Sequence, residues 1–254
     1  MLEKSFHKFS ELYKTIKVLR DPGGCPWDSS QTSKSLIPYL LEETYEVIEA
    51  IEKEKYSEIK EELGDLFLHL FFQSQIYEEK KAFNLSDIFE NTNLKLKNRH
   101  PEIFDKSYIN TGLSWEERKQ KEKKREKFLD GVPKSLPALT RASRIQEKAA
   151  EVGFDWNDLK PIWDKVYEEI GELKNAIESK DNEQIISEMG DVLFSFVNLS
   201  RHLKIQPESS LKNTISKFEY RFHNIEKELE KQNKSLSEAS LEEMDEIWNK
   251  FKNN

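Results

Sequence analysis

Leu41-Glu42-Glu43-Thr44-Tyr45-Glu46, followed after fifteen residues by Glu62-Leu63-Gly64-Asp65-Leu66-Phe67, decides the fold, because the chain writes this stretch twice. The second version runs Tyr167-Glu168-Glu169-Ile170-Gly171-Glu172, then fifteen residues, then Glu188-Met189-Gly190-Asp191-Val192-Leu193-Phe194. Glu43 thus recurs as Glu169, 126 residues on. A repeat of that period is a whole small domain duplicated in tandem. Working outward, Lys95 and Arg99 are matched by Lys217 and Arg221, and Trp115 and Lys119 by Trp248 and Lys252. Each pair is spaced i, i+4, and the offsets drift to 122 and 133, as insertions in connecting loops produce. Asp130-Gly131-Val132-Pro133-Lys134-Ser135-Leu136-Pro137 breaks the helical pattern between the copies and marks a boundary near 126–140. The expected domains are residues 1–128 and 129–254.

Both carboxylate segments read as helices. From about Leu36 to Lys55, Pro38 sits near the start, where a missing amide is tolerated, and no later Gly or Pro interrupts. At helical spacing Leu40, Thr44, Val47, Ile48 and Ile51 form one apolar stripe, with Glu43 and Glu46 along its border. From about Tyr56 to Glu79 the stripe is Leu63, Leu66, Phe67 and Leu70, bordered by Glu62 and Asp65. Packed antiparallel through these stripes, the two helices bring four carboxylates together. Four converging negative charges repel strongly unless a cation is present or some are protonated. Oxygen-only ligation suits Mg²⁺, or Mn²⁺, rather than zinc. One ExxE among 48 acidic residues reads as a solvated helix face. Its recurrence with the same spacing and phase in both copies points to divalent-metal ligation instead. Gly64 and Gly190 cost roughly 1 kcal/mol each against Ala inside a helix, and close helix approach is the expected reason for them.

Composition bounds the rest. With 36% hydrophobic and 35% charged residues and only eight Gly and eight Pro, the 254-residue chain suits long amphipathic helices, and the fold class expected is all-α. The low apolar share predicts thin cores, completed by packing against another copy. The net charge of -8 argues against stable nucleic-acid binding, and local basic runs such as Lys119 to Lys127 read as a solvated face. Cys25, the sole cysteine, lies in a tight turn and rules out internal disulfides. Met1 to Ser10 is charged from its third residue, unlike a secretory signal, and no run approaches 18 apolar residues. A soluble cytoplasmic protein, without membrane association, is expected.

Asp21-Pro22-Gly23-Gly24-Cys25-Pro26-Trp27-Asp28 with Gln31-Thr32, the two EExxE and ExxD elements, Arg99-His100-Pro101 and Gly153-Phe154-Asp155-Trp156 together make the chain resemble the two-domain MazG nucleoside triphosphate pyrophosphohydrolases over nearly its whole length. The EExxE and ExxD elements alone point only to the wider all-α pyrophosphatase superfamily. The resemblance implies two MazG-like helical bundle domains, and four to five helices are expected in each. It further implies Mg²⁺-dependent hydrolysis of nucleoside triphosphates between the α and β phosphates, and in part a homodimer. Carried over residue by residue, it makes Glu169, Glu172, Glu188 and Asp191 metal ligands in the second domain, matched by Glu43, Glu46, Glu62 and Asp65 in the first. Glu168, or Glu42, is placed to take a proton from water.

Lys217 and Arg221, with Lys95 and Arg99 in the first copy, fit phosphate contacts. Trp248 resembles a base-stacking platform and Lys252 its accompanying cation. A tryptophan near a helix end is more often a packing residue, which leaves both readings open. In this family the second domain is associated with catalysis, although both copies here keep all four carboxylates. Gln184 stands where some relatives carry a basic residue. His69, one turn beyond Asp65, corresponds to Ser195 and reads as dispensable. The readings carried forward are a broad house-cleaning nucleotide hydrolase, a narrower deoxynucleotide pyrophosphatase of the dUTP or dCTP kind, and a non-catalytic nucleotide-binding module.

Overall fold

The computed structural model describes residues 2–109, 112, 117–119, 122 and 127–252. Trp115 and most of the run 116–127 lie outside them. Every regular element among the described residues is helical, as expected for an all-α chain. The chain divides into two compact units, Met1–Lys119 and Gln120–Asn254.

In the first unit, α1 (Leu2–Arg20) and the short α2 (Pro26–Ser30) precede the hairpin α3 (Ile37–Glu52) and α4 (Tyr56–Glu79), followed by α5 (Leu85–Arg99) and α6 (Pro101–Phe104). Pro38 falls in the first turn of α3, where the ring's fixed φ fits and no amide is missed. Asn84 and Asp87 form a capping box that starts α5. Gly24 is required by close approach, since a Cβ there would meet the Val18 carbonyl oxygen at 2.3 Å. Cys25 then donates its amide to the Leu19 carbonyl and caps α2 as part of this turn.

The second unit repeats the hairpin. Here α7 (Ala138–Glu151) leads to α8 (Leu159–Ser179) and α9 (Asn182–His202), then α10 (Pro207–Lys231), a 3₁₀ turn (Leu236–Glu238) and α11 (Leu241–Lys250). Asp181 caps α9, and Ser240 with Glu243 forms the capping box of α11. The repeat extends to the turns. Glu54 closes the first hairpin's leading helix at φ 54°, and Lys180, 126 residues on, closes the second at φ 58°. Lys81, Lys204 and Asn233 are left-handed as well, each donating to a carbonyl three residues back while the next amide reaches five back.

Ile16, Leu36, Phe71, Phe72 and Ile76 form a core in the first unit, with Phe9 edge-on to Phe71 at 4.8 Å. In the second, Ile225, Leu229 and Ile247 cluster beneath Phe222, Met244 and Trp248. Two expectations are corrected here. Val47 is buried, but Leu63, Phe67 and Leu70 of the expected α4 stripe stay 41–49% exposed, while His69, Phe71, Phe72 and Ile76 are buried instead. The reason is that α4 is apolar on more than one side, so the stripe next to the carboxylates is not the one facing the core. Nor do Gly64 and Gly190 mark close helix approach, because a Cβ on either would meet nothing within 4 Å.

Candidate functional site

Each hairpin gathers its carboxylates. In the first, oxygens of Glu43, Glu62 and Asp65 all lie within 4.8 Å of one another, and in the second those of Glu169, Glu172 and Glu188 do. Burial, then repulsion from Glu46, Asp65 and Glu62, pushes the Glu43 carboxyl up to about 7. Glu62 and Glu172 are also raised, by burial first and by their acidic neighbours second. Glu46 acts on both Glu43 and Glu62 and so belongs to the first group electrostatically.

The two clusters are balanced differently. In the second, Lys165 on the preceding turn of α8 reaches Glu169 at 2.7 Å and Glu168 at 3.0 Å, and both carboxylates hold its ammonium above the usual range. The matching residue in the first unit is Tyr39, stacked 6.3 Å from the buried imidazole of His69. His69 Nε2 stands 3.7 Å from Glu43, and burial lowers its pKa. Ser195, at the corresponding position, turns its hydroxyl to the Val192 carbonyl. The sequence reading passed over Lys165, though a lysine one turn before EExxE at i, i+4 was a visible signal.

A cavity of about 500 Å³ adjoins the second cluster and is lined by Glu169, Asp191 and Lys165 together with Phe154, Trp156 and Asn198, among others. The loop that supplies Phe154 and Trp156 turns at Gly153, φ 83°, a value that favours glycine. Asp155 anchors it by accepting two bonds from the Arg201 guanidinium, at 2.9 and 2.5 Å, and pairing with His202 at 2.9 Å. These partners, Arg201 foremost, hold Asp155 down at about 2. No local pattern announces a pair 46 residues apart in sequence.

The basic and aromatic candidates gather elsewhere. Arg221 lies 5.3 Å over the Trp248 ring and donates to the Lys252 carbonyl at 3.0 Å, while Phe218 packs on Trp248 at 5.1 Å. Lys217 is exposed on the same helix, and none of Lys217, Arg221, Trp248 and Lys252 lines the cavity. In the first unit Lys95 and Arg99 share α5, and the Arg99 carbonyl accepts from Arg118. Gln184 is exposed in the first turn of α9, its amide bonded to Asp181.

The MazG nucleotide pyrophosphohydrolase domain is matched over residues 31–104 and again over 159–225, the two segments that hold the hairpins. The chain belongs to the MazG family. Its MazG relatives include the nucleoside triphosphate pyrophosphohydrolase/pyrophosphatase MazG of Thermotoga maritima, 44% identical over 96% of this chain and 95% of the relative. The nucleoside triphosphate pyrophosphohydrolase of Escherichia coli K12 is 41% identical over 97% of both chains. That of Mycobacterium tuberculosis is 36% identical over 51% of this chain and 41% of its own length. No helix among the described residues is long and apolar enough to cross a membrane.

Proposed function

We propose that this MazG-family chain hydrolyses ribo- and deoxynucleoside triphosphates between the α and β phosphates, with broad base tolerance, to the monophosphate and pyrophosphate. The observation that carries the reading is the carboxylate cluster of the second unit, Glu169, Glu172 and Glu188 within 4.8 Å of one another, beside a cavity that Glu169 and Asp191 also line. The residues present fit a hard divalent cation: their donors are all oxygen, and Glu172 is raised by burial and then by like-charge neighbours, whose repulsion a cation would relieve. Glu169, Glu172, Glu188 and Asp191 would hold Mg²⁺, or Mn²⁺, and Glu43, Glu46, Glu62 and Asp65 would do so in the first unit. When bound, the cation supplies positive charge that offsets the triphosphate and makes water more acidic.

The chain's own groups do the rest. Lys165, already beside the carboxylates, adds positive charge where phosphate oxygens would lie. Glu168, exposed next to it, accepts the proton of the attacking water. Lys217, Arg221, Trp248 and Lys252 contribute phosphate and base contacts only if substrate also reaches the end of α10. The half-exposed Leu63, Phe67 and Leu70 in the first hairpin, and separately Met189 and Leu193 in the second, each supply apolar surface for a second copy, making a homodimer. The reading assigns the protein to the cytoplasm, where its substrates are.

The test incubates the protein with each common ribo- and deoxynucleoside triphosphate and Mg²⁺ and resolves products by chromatography, alongside Glu172→Ala and Glu46→Ala. Monophosphate and pyrophosphate should form, and Glu172→Ala should lower the rate at least a hundredfold, the loss expected for removing a group that stabilises developing charge. Glu46→Ala should retain activity. No monophosphate from any nucleotide would sink the reading.

A further inference from the structure

We propose that the cavity of the second unit holds the nucleobase and that Gln146 reads it, which rests on the hydrolase reading above. Gln146 lies on α7, lines the cavity and is more than nine-tenths buried. Its Nε2 donates to the Phe194 carbonyl at 2.9 Å. A backbone carbonyl only accepts, so this bond fixes which way the amide faces. Its Oε1 is then a buried acceptor with no partner in the protein. Such an atom costs free energy unless an N–H reaches it, and because the residue that carries it lines the cavity, a bound ligand that donates is the partner the site calls for.

The surroundings fit a base. Phe154 and Trp156, on the loop tied down by Asp155, put aromatic rings, the kind of group on which a base stacks, in the cavity lining. Asn198 has its carbonyl oxygen taken by Arg201, which leaves its amide N–H groups to meet a base acceptor. Glu169, Asp191 and Lys165 line the same cavity, so the triphosphate of a bound nucleotide has the metal-type cluster within reach. The first unit differs at a lining position. Where the second has Asn198 on the cavity wall, it has Phe72, buried in its core. At this one position the duplicated fold sets a core ring in one copy against a polar amide on the cavity wall in the other.

Gln146 is therefore a specificity-determining residue for bases that present an N–H donor on their pairing edge. The experiment compares kcat/KM for ATP against purine riboside triphosphate, and for CTP against the triphosphate of pyrimidin-2-one riboside. Each analogue lacks the amino group and keeps no edge N–H. The wild type should prefer the donor-bearing member by at least about tenfold. In Gln146→Leu, checked for folding by helical circular dichroism, the ratio should collapse toward one. Asn198→Phe, which brings in the first unit's ring, should raise KM for every nucleotide by at least about tenfold. Equal handling of each pair by the wild type, or an undiminished preference in Gln146→Leu, overturns the inference while pyrophosphate release leaves the hydrolase reading standing. Absence of pyrophosphate from all nucleotides overturns the hydrolase reading, and this one with it. Should Gln146→Leu not fold, the wild-type ratios and Asn198→Phe decide.

Discussion

Asp155 shows how one side chain can organise a loop. Its carboxylate is lowered in the folded chain to about 2, against an ordinary 3.8, chiefly by its bonds to Arg201. A depressed carboxylate contributes stability that is complete above its unfolded value and is lost as pH falls through the folded one. The window here is pH 4 to 2. Asp155→Asn should therefore lose roughly 1–2 kcal/mol at pH 7, part of the full linkage value because the pair is partly solvated. Urea unfolding at pH 7, 4 and 2.5 should show that deficit falling to roughly a third at the lowest pH, where the folded carboxylate is only beginning to protonate; a constant deficit would mean that the cost is one of packing. The carboxylate clusters were legible in the sequence because ExxE and ExxD fix neighbours on a helix face. The Asp155 pair and the free oxygen of Gln146 were not, because both depend on which distant helix lies alongside.

At the scale of elements, the two hairpins follow from periodicity, capping residues and Pro38, and the sequence reading placed α4 at the span it adopts. What periodicity does not supply is the side of a doubly apolar helix that turns inward. For α4 that choice is made by α1, whose Phe9, Tyr13 and Ile16 meet Phe71, Phe72 and Ile76. Arg20, at the end of α1, locks the arrangement. Its guanidinium, almost fully buried, forms a two-pronged pair with Glu79 at 2.8 Å for each contact and donates to the Asp28 and Gln31 carbonyls. Arg20→Met leaves these acceptors without a donor and should destabilise the first unit by about 2–3 kcal/mol in urea unfolding. Hydrolysis assigned to the second unit should survive. A loss below about 0.5 kcal/mol would mean that the apolar contacts alone hold α1 in place.

For the molecule as a whole, duplication has kept the carboxylates in both units and changed what surrounds them. Lys165 faces one cluster, and Tyr39 with His69 backs the other. The thin cores read from composition have their counterpart in the half-exposed Leu63, Phe67, Leu70, Met189 and Leu193. For the homodimer proposed above, Leu70→Asp places a charge on the first hairpin's apolar surface and should shift the mass measured by light scattering from two chains toward one. An unchanged mass would remove the first hairpin from the dimer contact.

The left-handed residues at the helix ends, Glu54, Lys81, Lys180, Lys204 and Asn233, also bear on how this protein could be adapted to heat. A side chain in that conformation costs about 1 kcal/mol relative to glycine, less for asparagine. None of the five is among the carboxylate, cavity or basic residues discussed above, so glycine at these ends relaxes the backbone without touching the chemistry. A lineage moving to hotter surroundings has there a route to endurance that leaves substrate handling alone.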